Sequence, residues 1–178
     1  MIRKDRVRLW SNPRVAPRVY FRWATPADAD REYLSWLKDP EVLRWLSFPS
    51  HRLVDLRAYI RSQVNKGGAV AFFIIHVRDV LHENTWAKPK PDTDQRIGTL
   101  KLVKEKDGTA SLGLILGRGR GFGFGPEAIT LACQFAKDVW GTKEVWGGIH
   151  ADNQRSIRAF TKAGFNIRPH VVRATRVS

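Results

Sequence analysis

Between Gly117 and Gly125 the sequence LGLILGRGRGFGFGPEAITLACQFA places a glycine at every second position, with arginines and phenylalanines between them. Two chemistries fit such a run: a flexible Gly/Arg tail that adheres to RNA, or a tight loop shaped around a ligand. The flanks favour the loop. An apolar strand precedes it and an amphipathic helix follows, whereas a flexible segment needs polar, unpatterned neighbours. Amides at the start of a helix lack internal partners and carry the positive end of the helix dipole, so they attract phosphate. Glycine lets the backbone take unusual φ values and approach a ligand with no side chain in the way. Pro126 suits the first turn, and Glu127 behind it is compatible with a helix start. The pattern is that of a pyrophosphate site.

A Walker loop would end in Gly-Lys-Ser/Thr, which is absent. The piece GFGPEA satisfies the dinucleotide fingerprint G-x-G-x-x-A, but that motif follows the first strand of a parallel βαβ unit. Here it follows an antiparallel meander in the second half of the chain.

The elements that must position this loop are legible around it. RVYFRW (18–23) alternates as a strand with Val19, Phe21 and Trp23 on one side. Thr25, Pro26 and Asp28 predict the capped start of a helix running to Pro40. Asp39 caps a short helix through Trp45, and Leu53, Leu56, Ile60 and Val64 recur at helical spacing up to a glycine pair. AVAFFIIHV reads as a buried strand, 82–95 as an enlarged loop, and IGTLKLV and ASLGLIL as strands joined at Asp107-Gly108. A helix then turns Ala128, Ala132, Phe135, Ala136 and Val139 inward. KEVWGGIH is a strand, NQRSIRAFTKA a helix and FNIRPHVVRATRV one last basic strand. The order predicts a mixed α/β domain over 16–178 behind a basic arm, 1–15.

The chain has 178 residues, of which 43% are hydrophobic, with seven tryptophans and a formal charge of +14. That is enough for one core and argues against disorder. The charge favours anionic partners, whether nucleic acid, acidic membrane or phosphate-bearing small molecules. Cys133 is the sole cysteine, so no intrachain disulfide forms, and no apolar run is long enough for a bilayer. A cytoplasmic protein without membrane association is expected, and no metal is called for.

RGFGFGPEA matches R-G-x-G-x-G-x-E-A, and Arg120, Gly123 and Gly125 match R/Q-x-x-G-x-G/A. In these residues the sequence resembles the GNAT superfamily of acyl-CoA N-acyltransferases. YLSWLKDPEVLRWL, LRAYI, RIGTLKL, LGLILG and DNQRSIRAFTKAGF extend the likeness over nearly the whole chain. They look like the subgroup of ribosomal-protein N-terminal acetyltransferases and surface amino-sugar acetyltransferases. The resemblance implies a single-domain GNAT fold: a mixed, mostly antiparallel twisted sheet with a central splay and helices on both faces.

It also implies acetyl-CoA as cosubstrate, with its pyrophosphate on the amides of Arg120, Gly121, Phe122, Gly123, Phe124 and Gly125. Leu114, Ile115 and Leu116 would splay from Val145–Ile149 and flank pantetheine, with Arg118, Arg120, Asn153, Ser156, Phe160 and Lys162 beside the cofactor. Many relatives carry a tyrosine at the place of Phe160 that protonates the departing sulfur. Phe160 has no hydroxyl, and Ser156 is the candidate replacement. His150, Asp152, His76 and His51 are candidate bases, although an α-amine is already about a tenth neutral at pH 7. Trp36, Asp39, Glu41, His51 and His76 would form the acceptor side.

The implied reaction is transfer of acetyl to a primary amine. Two acceptors fit: a small anionic amine such as a nucleotide-linked amino sugar, or a protein N-terminus with the basic surface touching ribosomal RNA. A non-catalytic CoA-sensing or RNA-binding protein on the same fold is the third reading. The final strand leaves room for completion by a second protomer, hence a homodimer.

Overall fold

The computed structural model describes residues 18–46, 52–77, 95–168 and, for their backbone alone, 173–177. The basic arm 1–15, His51 and nearly all of the 82–95 loop lie outside the described residues. Among the described residues seven strands form one sheet in the order β1-β2-β3-β4-β5-β7-β6. They are β1 Val19–Trp23, β2 Val70–Val77, β3 Gln95–Lys104, β4 Ala110–Leu116, β5 Glu144–Gly148, β6 Asn166–Arg168 and β7 Arg173–Val177. All neighbours are antiparallel except β4 and β5.

Alternation along β2 divides the core. Ala71, Phe73 and Ile75 face one side, where α4 (Phe124–Trp140) and α5 (Gln154–Lys162) pack. Val70, Phe72 and Ile74 face the other, beneath α1 (Arg31–Lys38) and α3 (Leu53–Val64). A strand with apolar residues on both faces is covered on both, so the uninterrupted run of β2 follows from its place in the middle layer. A short helix, α2 (Pro40–Leu43), follows α1 directly, with the Asp39 carboxylate accepting the Glu41 amide at 2.9 Å.

The β4–β5 ladder is short. Only Ala110↔Val145 and Ser111↔Trp146 pair, and β4 then runs on to Leu116 without β5 beside it. On its other side β4 keeps its full ladder to β3. The Gly117 amide still donates to Ile97 of β3, so by alternation the main-chain groups of Leu114 and Leu116 face the opening gap. This is the central splay.

Three expectations need correction. Thr25 does not start the first helix: its amide and hydroxyl meet Asp28 Oδ2 at 2.7 and 3.1 Å around a single 3-10 turn. Asp30 then caps α1 by accepting the Tyr33 amide, so two consecutive Asx-type signals divide the work. Val139 is 42% exposed, and Ile129 and Leu131 are buried instead. The predicted last strand is two, β6 and β7, paired antiparallel with β7 inserted next to β5.

Candidate active site

The glycine loop takes the shape its composition requires. Gly119, Gly121 and Gly123 have φ of 65°, 93° and 87°, values that L side chains rarely adopt. Gly123 is the left-handed N-cap of α4, and among the described residues no side chain caps the amides behind it. Those donors open onto a cleft of about 680 Å³ between the splayed edge of β4, α2 and the start of α5.

The loop is buttressed from behind. Arg18 donates from Nε to Glu127 at 2.8 Å and from Nη2 to the Phe122 carbonyl at 3.2 Å, while its guanidinium lies 4.9 Å from the Phe124 ring centroid. Beneath the loop's first glycine sits Trp36: a Cβ on Gly117 would lie 2.1 Å from the indole. Trp36 is fixed in turn by Arg96, 5.0 Å above its ring, which bonds Asp30 and Glu32. Arg118 reaches the other oxygen of Glu32 at 2.8 Å.

Arg120 crosses the mouth of the splay. Its Nε donates to the Leu116 carbonyl at 2.7 Å and its Nη2 pairs with Asp39 at 2.6 Å. The Arg120 guanidinium, and after it the Glu41 amide, hold the Asp39 carboxyl below its ordinary value. On the opposite wall, Asn153 Oδ1 accepts the Ser156 amide at 3.0 Å and caps α5. Ser156 lines the cleft, and among the described residues only its amide makes a hydrogen bond, to Asn153. Arg155, Arg158 and Lys162 share one face of α5 at helical spacing and line the cleft as well.

A family model for the acetyltransferase (GNAT) domain matches residues 18–166. The chain belongs to the GNAT acetyltransferase family. No curated protein matches it by sequence. Solved structures share the fold at low identity. A domain from Methanocaldococcus jannaschii DSM 2661 superposes with a TM-score of 0.68 at 17% identity, over 90% of this chain and 98% of that one. The aminoglycoside acetyltransferase AAC(6')-Ib, solved with coenzyme A, gives 0.65 at 19% identity over 89% and 94%. A Vibrio cholerae protein provisionally named a ribosomal-protein-serine acetyltransferase gives 0.66 at 16% over 92% and 96%.

The cosubstrate of a GNAT acetyltransferase is acetyl-CoA, and the residues present fit it. Uncapped amides at the α4 N-terminus, left-handed glycines without side chains and the free edge of β4 supply donors and acceptors where a diphosphate and two amides need them. Of the residues named from the sequence, Leu114, Ile115, Leu116, Arg120, Gly121, Gly123, Gly125, Asn153, Ser156, Lys162 and Glu41 line the cleft, as does Asp152. Others stand elsewhere. Phe122 is 68% exposed on the loop, stacked on Phe124. Phe160 is 3% exposed in the core against Phe165. Trp36 and Asp39 act from beneath the loop and at the cap of α2. His150 is exposed with its ring 5.4 Å from that of Trp45, and His76 lies on β2, two strands from β4, stacked on Tyr20.

Sequence reasoning missed Arg18, Arg44, Trp45, Arg155 and Arg158. The row Arg155, Arg158, Lys162 carried a readable signal, the helical spacing of cations. Arg18 carried none, since its partner Glu127 is 109 residues away. Among the described residues no cluster of His, Cys, Asp and Glu could hold a metal, and no helix is long and apolar enough to cross a membrane.

Proposed function

We propose that this GNAT protein acetylates the primary amine of a small anionic acceptor, of the kind represented by a nucleotide-linked amino sugar. The observation that carries this reading is the charge of the cleft: among the described residues Arg44, Arg120, Arg155, Arg158 and Lys162 line it against Glu41 and Asp152 alone. Such a cleft concentrates anions and repels polycationic amines. Acetyl-CoA supplies the thioester. The chain's own groups do the rest: loop amides bind the diphosphate, the free edge of β4 aligns the pantetheine arm, and a main-chain amide in the splay faces the carbonyl oxygen. As the carbon–sulfur bond breaks, Ser156 passes a proton to the departing sulfur and regains one from the ammonium of the adduct, directly or through water. Arg44 and Arg155, which line the cleft beside α2 and α5, receive the acceptor's negative charge.

The test is thiol release from acetyl-CoA with three acceptors: a nucleotide-linked amino sugar, a basic peptide with a free N-terminus, and a polyamine. Saturable turnover of the sugar alone is the expected result. Turnover of the peptide alone would replace this reading with protein N-terminal acetylation. CoA binding without turnover of any of the three would leave a sensor.

A further inference from the structure

The outer wall of the cleft is α2, four residues long with no buried side chain. Most helices are held by the apolar area they cover. Just past this one, Leu46 packs against the apolar cluster beneath α1 and α3. Glu41 and Arg155 are 4.0 Å apart with side chains 56% and 61% exposed, a pair that water largely cancels. Asp39 and Arg120 are 2.6 Å apart and better shielded, at 31% and 21%. Arg120 is also tied at its other end, to the Leu116 carbonyl on the edge that β5 leaves open. One side chain therefore joins the free edge of the splay to the cap of the opposing wall.

We propose that Arg120 is a positioning residue: through Asp39 it fixes the spacing between α2 and the splayed edge of β4, and so the pose in which an acceptor meets the thioester. The diphosphate is held by the loop amides, with Arg120 turned toward the wall. The inference rests on the cleft being the site of acetyl transfer. Its consequence is kinetic, because small misplacements of a bound reactant cost far more in rate than in stability.

Asp39→Asn is the clean variant, since asparagine caps a helix as well as aspartate but carries no charge. It is compared with Arg120→Gln and the double variant. Three measurements apply: CoA affinity by calorimetry, deuterium exchange of residues 39–46, and steady-state kinetics with a nucleotide-linked amino sugar. Each single variant is expected to speed exchange across 39–46 and lower kcat/KM for the acceptor by about threefold or more, with CoA affinity within about twofold. The double variant should match the singles rather than add to them, the mark of one shared contact. Unchanged exchange in both singles, or about tenfold weaker CoA binding in Arg120→Gln alone, would overturn the proposal and make Arg120 a phosphate ligand. Failure of the wild type to bind CoA would sink the acetyltransferase reading instead, while the exchange comparison would still report on the brace.

Discussion

A Cβ built on Gly147 would lie 2.5 Å from Cε1 of Phe160 and 2.8 Å from its Cζ, so β5 rests directly on that ring. The contact falls one residue beyond the last β4–β5 pair, Ser111↔Trp146, where the strands part. Adding a methyl there overpacks a buried site, which costs about 1–3 kcal/mol. Gly147→Ala is therefore expected to lower the unfolding midpoint by about 2–4 °C for each kcal/mol. An unchanged midpoint in calorimetry would show that the ring gives way freely.

The loop's shape depends on Arg18. Its side chain and that of Glu127 are 38% and 35% exposed, so the charged hydrogen bond is discounted to about 1 kcal/mol. Arg18→Gln is expected to lower the midpoint only slightly, by about 2–4 °C. The larger effect falls on CoA, with affinity reduced several-fold because the Phe122 carbonyl is released and the adjacent amides lose their aim. Calorimetric titration checks this; equal affinities would remove Arg18 from the account.

Ser156 and Asn153 separate chemistry from folding. The cap uses the Ser156 amide and not its hydroxyl. Ser156→Ala is expected to keep full stability and CoA affinity while lowering kcat by on the order of a hundredfold, the scale of a lost proton donor. Asn153→Ala should do the reverse in stability, costing about 1 kcal/mol. A Ser156→Ala enzyme with unaltered kcat would acquit the hydroxyl.

Acid should loosen the α1 corner. Burial raises the Asp28 carboxyl, but hydrogen bonds from Arg22 and the Thr25 amide outweigh it and hold it below 3.8. Asp30 is likewise raised by burial and brought lower by Arg96. A carboxyl whose folded value lies below its unfolded one adds stability that is complete above the unfolded value and is lost as pH falls through the folded one. The unfolding midpoint is expected to be flat from pH 7 to about 5 and to drop below about pH 4. Asp28→Asn should flatten that drop; a midpoint constant down to about pH 3 in both proteins would contradict the assignment.

The parts legible in the sequence were those encoded locally. Alternation gave β1, the apolar run gave β2, and the glycine spacing gave a left-handed loop opening α4, because each depends on neighbours a few residues apart. Val139 misled because it follows the helical stripe yet sits in the last turn of α4, where it is exposed. The β6–β7 hairpin was read as one strand because FNIRPHVVRATRV holds no glycine to mark a reversal. Arg120 illustrates the limit best. Its motif suggested phosphate; its bond to the Leu116 carbonyl is local, but its ion pair with Asp39, 81 residues away on another element, is set by tertiary geometry.

The central claim is that main-chain amides at the start of α4 hold the diphosphate of coenzyme A. Titrating the nitrogen-15-labelled protein with CoA and following the backbone amide resonances tests it directly. The account predicts that the largest shifts belong to Gly121, Gly123, Phe124 and Gly125, saturating together with a single affinity. Resonances of those four that stay in place while CoA binds would contradict it.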